Sequence, residues 1–266
     1  MNKQINMNNW LKHILLLSLL FLLASLSGSG QSGTHFNNAL KDSQGAIIRT
    51  DTTQKIVHLI FSADEFGEGA VKILDILQKQ EVPASFFLTG NFLRNPRFRE
   101  VIDRMRQEGH YLGPHSDRHL LYNPWEKRDS LLVTHREFRR DLRGNLRELQ
   151  RVGVPRRDIL WFLPPYEWYN ATICRWSEKE GLTVVNFTSG TGTNADYTTP
   201  DMASYKSSEQ LMVRLLHFEE THPLRLRGAI LLIHLGTHPD RTDKYYDRLG
   251  DLIQVLKARG YRIERF

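Results

Sequence analysis

From Ile56 to Phe266, short apolar runs rich in β-branched and aromatic residues alternate with segments of helical period. The apolar runs are Ile56–Phe61, Ala84–Leu88, His110–Pro114, Ile159–Leu163, Leu182–Phe187, Ala229–His234 and Tyr261–Phe266. Helical patterns cover Val71–Lys79, Arg97–Glu108, Thr134–Val152, Tyr169–Lys179, Ser208–Glu220 and Thr242–Arg259. A continuous apolar run suits a strand covered on both faces, and parallel strands need long crossovers between them. The alternation therefore predicts an α/β fold with a mainly parallel sheet and helices outside. Seven such strands can close into a barrel or stay open and doubly wound. In both cases the active site belongs at the C-terminal ends of the strands.

The chain has 266 residues, the size of one large α/β domain or two small ones, and 40% of them are hydrophobic. That is enough for a sizeable core. Cys174 is the sole cysteine, so an intrachain disulfide and every cysteine-rich zinc site are excluded. Any bound metal must be held by His, Asp or Glu. The net charge of +6 raises a polyanionic partner, but no nucleic-acid module signature accompanies it. Arg136, Arg140, Arg143, Arg147 and Arg151 recur at helical spacing, with Phe138, Leu142, Leu146 and Leu149 on another side. The pattern predicts an amphipathic helix with solvated arginines rather than an anion-binding face.

Lys3, Lys12 and His13 precede an apolar stretch from Ile14 to Ala24, followed by Ser25, Ser27, Gly28, Ser29 and Gly30. This is the order of a secretory signal, and it predicts export to periplasm, cell surface or medium. The stretch falls short of the roughly 20 apolar residues of a spanning helix, so no stable membrane span is expected once the signal is removed. Residues 1–30 are read as the signal, the polar residues 31–53 as a linker, and 54–266 as a single catalytic domain.

Polar side chains follow the apolar runs. Asp64 and Glu65 come after the first, His115 and His119 after the third, Pro164, Pro165 and Tyr166 after the fourth, and Asn194, Asp196 and Tyr197 after the fifth. His234 ends the sixth. In a parallel sheet these clusters converge at one end. His115-Ser-Asp-Arg-His119 places two imidazoles four residues apart, on one face if the segment is a helical turn. With Glu65 as third ligand, two His and a carboxylate leave an open position, the pattern of catalytic sites. Zinc suits this set, and cobalt, nickel, iron or manganese also fit. Ser116 stands where a zinc peptidase carries its general base, which argues against peptidase chemistry.

Together these segments resemble the polysaccharide deacetylase family, carbohydrate esterase family four with its NodB-like domain, over nearly all of Ile56–Phe266. The family's Thr-Phe-Asp-Asp is matched in part by Ser62-Ala63-Asp64-Glu65, and its His-Ser/Thr-x-x-His fully by His115-Ser116-Asp117-Arg118-His119. Leu163-Pro164-Pro165-Tyr166 matches the family's Arg-x-Pro-Tyr without the Arg. Asp196-Tyr197 stands for Asp-Trp, and Leu231-Leu232-Ile233-His234 for Leu-x-x-His. The resemblance implies a distorted (β/α) barrel of about seven parallel strands. It also implies a divalent-metal hydrolase that removes N- or O-acetyl groups from a polysaccharide or oligosaccharide. Carried over residue by residue, Asp64 is the general base, Glu65, His115 and His119 hold the metal, and His234 is the acid oriented by Asp196. Substrate contacts fall to Pro165, Tyr166, Trp168 and Tyr197, with Leu232 in a pocket for the acetyl methyl. Trp125, Trp161 and Tyr169 are further candidates for stacking on sugar rings. The departures at Glu65 and Leu163 mark a divergent member, and they leave a non-catalytic glycan-binding protein on the same fold as the competing reading.

Overall fold

The computed structural model describes Phe36 and residues 38–266. The signal segment expected over residues 1–30 lies outside the described residues. Among the described residues no helix is long and apolar enough to cross a membrane.

Strands β1 (Leu40–Lys41), β2 (Ile47–Arg49), β3 (Ile56–Ala63), β4 (Ser85–Leu88) and β5 (Tyr111–Pro114) are followed by β6 (Trp161–Phe162), β7 (Thr183–Val184), β8 (Ala229–His234) and β9 (Arg262–Ile263). The helices are α1 (Ala70–Lys79), α2 (Gly90–Arg94), α3 (Arg99–Gln107), α4 (His135–Arg151), α5 (Ala171–Lys179), α6 (Ser208–Thr221) and α7 (Leu249–Ala258). The larger sheet runs β1-β2-β8-β3-β4-β5, and β8, β3, β4 and β5 are parallel. β6 and β7 form a second parallel pair. Two links curl these pieces towards one another. Leu163 N–H donates to Pro114 O at 3.3 Å beside β5 and β6, and Ile47 bridges Val185 beside β2 and β7. The result is the distorted barrel rather than the open, doubly wound alternative.

Three expectations change in detail. Part of the segment read as a linker is built into the sheet: Asp42 Oδ1 accepts from Gln44 N and Ala46 N, both at 3.0 Å, and Ile47 is buried beyond that turn. Its polar residues make a hairpin between β1 and β2, which composition alone does not distinguish from a linker. The fourth, fifth and seventh runs shrink to two-residue strands. β9 pairs only with the first residues of β3, at Ile56 and Val57, while β4 pairs with β3 from Ile60 onward. The last helix begins at Leu249, after a 3-10 turn at Tyr245–Arg248.

β3 is buried along its whole length, and its pleat divides the core. Leu59 and Phe61 pack with the helices, whereas Ile60 joins Phe87, Tyr111, Leu163, Ile230, Leu232 and Phe266 in a second cluster inside the curl.

α4 does more than shield the sheet. Its start is fixed by a capping box, with Glu137 N–H donating to Thr134 Oγ1 and Thr134 N–H to Glu137 Oε2. Its arginines face solvent as expected; Arg143 meets Glu180 at 2.7 Å. Its inner face carries polar groups among the leucines. Asn145, fully buried, accepts from His115 N–H at 2.8 Å and donates to Leu88 O at 3.0 Å. Asp141 accepts from Arg118 N–H at 3.1 Å and from Tyr122 O–H at 2.7 Å. Gly144 lets Asp117 approach: a Cβ there would stand 2.9 Å from Asp117 Cγ.

Asn145→Ala leaves a buried N–H and a buried C=O without their partner, so it is expected to cost about 2–3 kcal/mol. Urea unfolding monitored by circular dichroism measures this. A loss below about 0.5 kcal/mol would show that the clamp carries little stability.

Candidate active site

A cleft of about 950 Å³ opens at the C-terminal ends of the parallel strands and gathers Asp64, Glu65, His115, His119, Tyr166, Glu167, Trp168, Tyr197 and His234. The convergence expected from the sequence is therefore real for most of the candidates.

His115 follows β5 directly and is buried. Its Nδ1 lies 2.8 Å from Leu163 O, and because a carbonyl only accepts, Nδ1 carries the proton. Nε2 thus presents its lone pair. Burial, helped by the neighbouring His119, holds the His115 pKa well below the ordinary histidine value, which keeps that lone pair free. The His119 ring lies 5.0 Å from the His115 ring, and burial lowers its pKa too, against the pull of Asp64. The segment 115–119 is not a helical turn. It is a loop with Ser116 and His119 in left-handed backbone, at φ 76° and 54°. It is docked by Asp117, whose Oδ1 accepts from Arg94 Nη1 at 2.6 Å. Gly90 leaves room for that carboxylate, since a Cβ there would stand 1.9 Å from the same oxygen.

Asp64 is the first residue past β3. Its Oδ1 accepts from Thr89 Oγ1 at 2.8 Å and Asn91 Nδ2 at 3.1 Å, and its Oδ2 lies 3.9 Å from His119 Nδ1. Glu65, assigned to the metal from sequence, sits exposed on the cleft rim, and no ion pair ties it to either histidine. The carboxylate beside His115 is instead Glu167, with Oε1 4.0 Å from Nε2. Burial pushes the Glu167 carboxyl up to about 7, partly offset by His234. Tyr166 and Glu167 are consecutive left-handed residues, at φ 58° and 53°, a conformation that costs energy for side chains with a Cβ and that is concentrated at functional sites. Sequence reading passed over Glu167, although it directly follows the Pro-Pro-Tyr motif that marked the loop.

His234 ends β8 and lines the same cleft as His115 and His119. Asp196 takes its backbone N–H on Oδ2 at 2.9 Å and its ring Nδ1 on Oδ1 at 2.6 Å. Burial opposes a charge on this ring, but Asp196, with help from Glu167, outweighs it and raises the pKa above the ordinary value. The fully buried Arg241 fixes the segment after Asp196 by donating to Thr198 O at 2.7 Å.

Other expected contacts separate into cleft and core. Tyr166, Trp125 and Tyr197 are 43%, 52% and 51% exposed and line the cleft with Trp168. Pro165 is buried and opens the 3-10 turn that carries Tyr166. Leu232 is fully buried in the cluster inside the curl, paired with Ile60, and therefore forms no wall of the cleft. Trp161 and Tyr169 are core residues as well, Tyr169 donating its O–H to Asp42 at 2.8 Å.

The donor chemistry fits a divalent ion: two neutral imidazoles and the carboxylates Asp64 and Glu167. They stand as two pairs at 3.9 and 4.0 Å, near the roughly 3–4 Å between ligands of one ion. Among the described residues no three such side chains converge on a single point.

The family model for polysaccharide deacetylases matches residues 49–185. This chain belongs to the polysaccharide deacetylase family. Relatives include an uncharacterized 30.6 kDa protein of Geobacillus stearothermophilus, 25% identical over 227 residues, which span 84% of this chain and 74% of that one. The peptidoglycan-N-acetylmuramic acid deacetylase PdaA of Bacillus subtilis is 25% identical over 224 residues, again 84% and 74% of the two chains. A chitooligosaccharide deacetylase of Bradyrhizobium is 28% identical over 203 residues, 72% and 80% of the chains. Solved structures share the fold. A family 4 carbohydrate esterase pseudoenzyme from Bacillus anthracis superposes with a TM-score of 0.65 at 21% identity, covering 85% of this chain and 68% of that one. An acetyl xylan esterase from Clostridium thermocellum, in complex with a cobalt ion, gives 0.61 at 22% identity over 79% and 88%.

Asp196 favours the charged form of His234, so Asp196→Asn is expected to lower the pKa of this imidazole, read by NMR titration. The sign extends to stability. The pair's contribution is fully present below the unfolded histidine value and is lost as pH rises through the raised folded value. An unmoved titration in the variant would show that Asp196 does not set it.

Proposed function

We propose that the protein is an exported, metal-dependent deacetylase that hydrolyses acetyl groups from a polysaccharide or oligosaccharide. One observation carries this reading: a single cleft gathers His115 and His119, whose pKa values burial lowers, and His234, whose pKa the paired Asp196 raises. Membership of the family and the relatives named for deacetylation support it, and the signal-like residues 1–30 support export.

In this reading His115, His119 and a carboxylate would hold the ion, which when bound would supply Lewis-acid chemistry towards the acetyl group and the attacking water. Zinc is the ion proposed first, with cobalt, nickel or iron as alternatives. The carboxylate is Asp64 rather than Glu65, because Asp64 is turned to His119 while Glu65 lies on the rim. Glu167, half-buried beside His115, holds or takes a proton at Oε1, the part that the family resemblance gives to Asp64. His234 donates from Nε2 to the leaving nitrogen or oxygen, with Asp196 keeping the proton of Nδ1 in place. Trp125, Tyr166, Trp168 and Tyr197 offer flat apolar faces to the sugar rings.

Acetate release from a panel of acetylated glycans, after chelation and after adding back zinc, cobalt, nickel or iron, tests the proposal. Release restored by a metal supports it. Absence of release from every glycan, with metal content verified, would favour the glycan-binding alternative, for which the exposed Glu65 and the missing motif arginine at Leu163 speak. His234→Ala is expected to lower kcat by about 10²–10⁴-fold with metal content unchanged, whereas His115→Ala is expected to reduce the metal content itself. Retained turnover in His234→Ala would remove its assignment as acid.

A further inference from the structure

Among the described residues Arg128 is the sole Arg or Lys that lines the cleft, in a chain that carries 36 of them. It is firmly held. Its Nε donates to Tyr169 O at 2.6 Å, and its guanidinium lies 4.5 Å from the Trp168 ring centroid and 5.2 Å from that of Tyr169. Its backbone oxygen accepts from the buried Asn123 at 3.1 Å and the buried Asn170 at 3.0 Å. Main chain and side chain are thus both fixed. Among the described residues no carboxylate pairs with it, and its two terminal nitrogens have no hydrogen-bond partner. Other arginines on the surface do meet an acid, as Arg94 meets Asp117 and Arg143 meets Glu180.

Arg128 is also connected to the reacting centre by contacts between rings. Tyr166 lies 4.3 Å from His119, Trp125 lies 5.7 Å from Tyr166, and Trp168 lies 5.6 Å from Trp125. Trp168 is the ring on which Arg128 stacks. A glycan laid along this strip with one acetyl group at His119 brings another part of the chain, or a substituent, to the guanidinium. A planar fork with free terminal N–H groups matches a carboxylate in two parallel hydrogen bonds, and stacking on Trp168 sets the plane in advance.

We propose that Arg128 selects substrates bearing a carboxylate, on the acetylated sugar or its neighbour, so that the substrate is an acidic glycan. This rests on the deacetylase reading and narrows it. A carboxylate can come from a uronic acid or from a lactyl ether on the sugar, and the two sources are separated by assay.

The experiment compares four acetylated oligosaccharides on the metal-loaded full protein: one with a uronic acid, one with a lactyl ether, the carboxyl-reduced form of the better of these, and a neutral one. The unmodified protein is expected to prefer one acidic substrate over its reduced form by at least about tenfold in kcat/KM. Arg128→Gln is expected to abolish that preference, mainly through KM, while rates on the neutral and reduced substrates stay within about twofold. Arg128→Lys, which keeps charge without the fork, should recover part of it. Equal turnover of acidic and reduced substrates by the unmodified protein would overturn the proposal and leave the deacetylase intact. So would an equal loss on all substrates in Arg128→Gln with a lowered Tm, the mark of a merely structural clamp. If no acetate is released from any substrate, calorimetric binding of the same four ligands decides. Tighter binding of an acidic one, weakened in Arg128→Gln, upholds the role of Arg128 while the deacetylase reading falls; equal binding of all four overturns it.

Discussion

The side chain of Asn145 is the joint on which the site depends. One buried amide accepts from the main chain of His115 and donates to the main chain at the end of β4, so helix and sheet meet where the first histidine leaves the barrel. Buried amides demand partners at both ends, and that demand makes the joint directional. A leucine at this place would still pack but would not specify the angle at which the chain turns from β5 into the loop. Asp141 and Gly144 on the same face of α4 add further restraints on that loop. A helix that looks like a shield in the sequence is therefore the mould of the histidine motif.

The electrostatics of the cleft follow from the same economy of partners. His115, buried, and His234, half-buried, both have Nδ1 engaged, yet their partners differ. A carbonyl oxygen fixes the proton position of His115 without favouring its charge, and burial then keeps it neutral. A carboxylate fixes the proton of His234 and favours the charge against burial. One imidazole is thereby suited to donate a lone pair and the other to donate a proton. Glu167 belongs to this balance. It reaches its place through two successive left-handed residues, and such backbone persists only where surrounding packing imposes it.

The repeating pattern of runs and helices carried the fold class, because period and length are properties of the local chain. The ends of β3, β5 and β8 were legible for the same reason, and with them Asp64, His115, His119 and His234. What escaped was orientation. Asp64 and Glu65 are adjacent in sequence, and only the pleat and the bonds from Thr89 and Asn91 decide which one turns inward. Leu232 sits two residues before His234 and points into the curl of the sheet, so its apolar character serves the core. The polar residues before β2 were indistinguishable by composition from a linker because turns and linkers use the same side chains. Glu167 was hidden by its backbone, since nothing in a Pro-Pro-Tyr-Glu string announces left-handed residues without glycine.

Leu163 stands where the motif it resembles has an arginine, and its main chain and side chain answer to different requirements. Its oxygen belongs to the main chain and orients His115, which any amino acid at this position would do equally well. Its side chain lies in the apolar cluster inside the curl, with Ile60, Phe87 and Leu232. The position is therefore free to drift in sequence as far as the histidine is concerned, and held to apolar residues by its neighbours. Divergence at a motif letter and persistence of the geometry behind it are compatible here, because inheritance acts on the letter while the imidazole reads only the backbone.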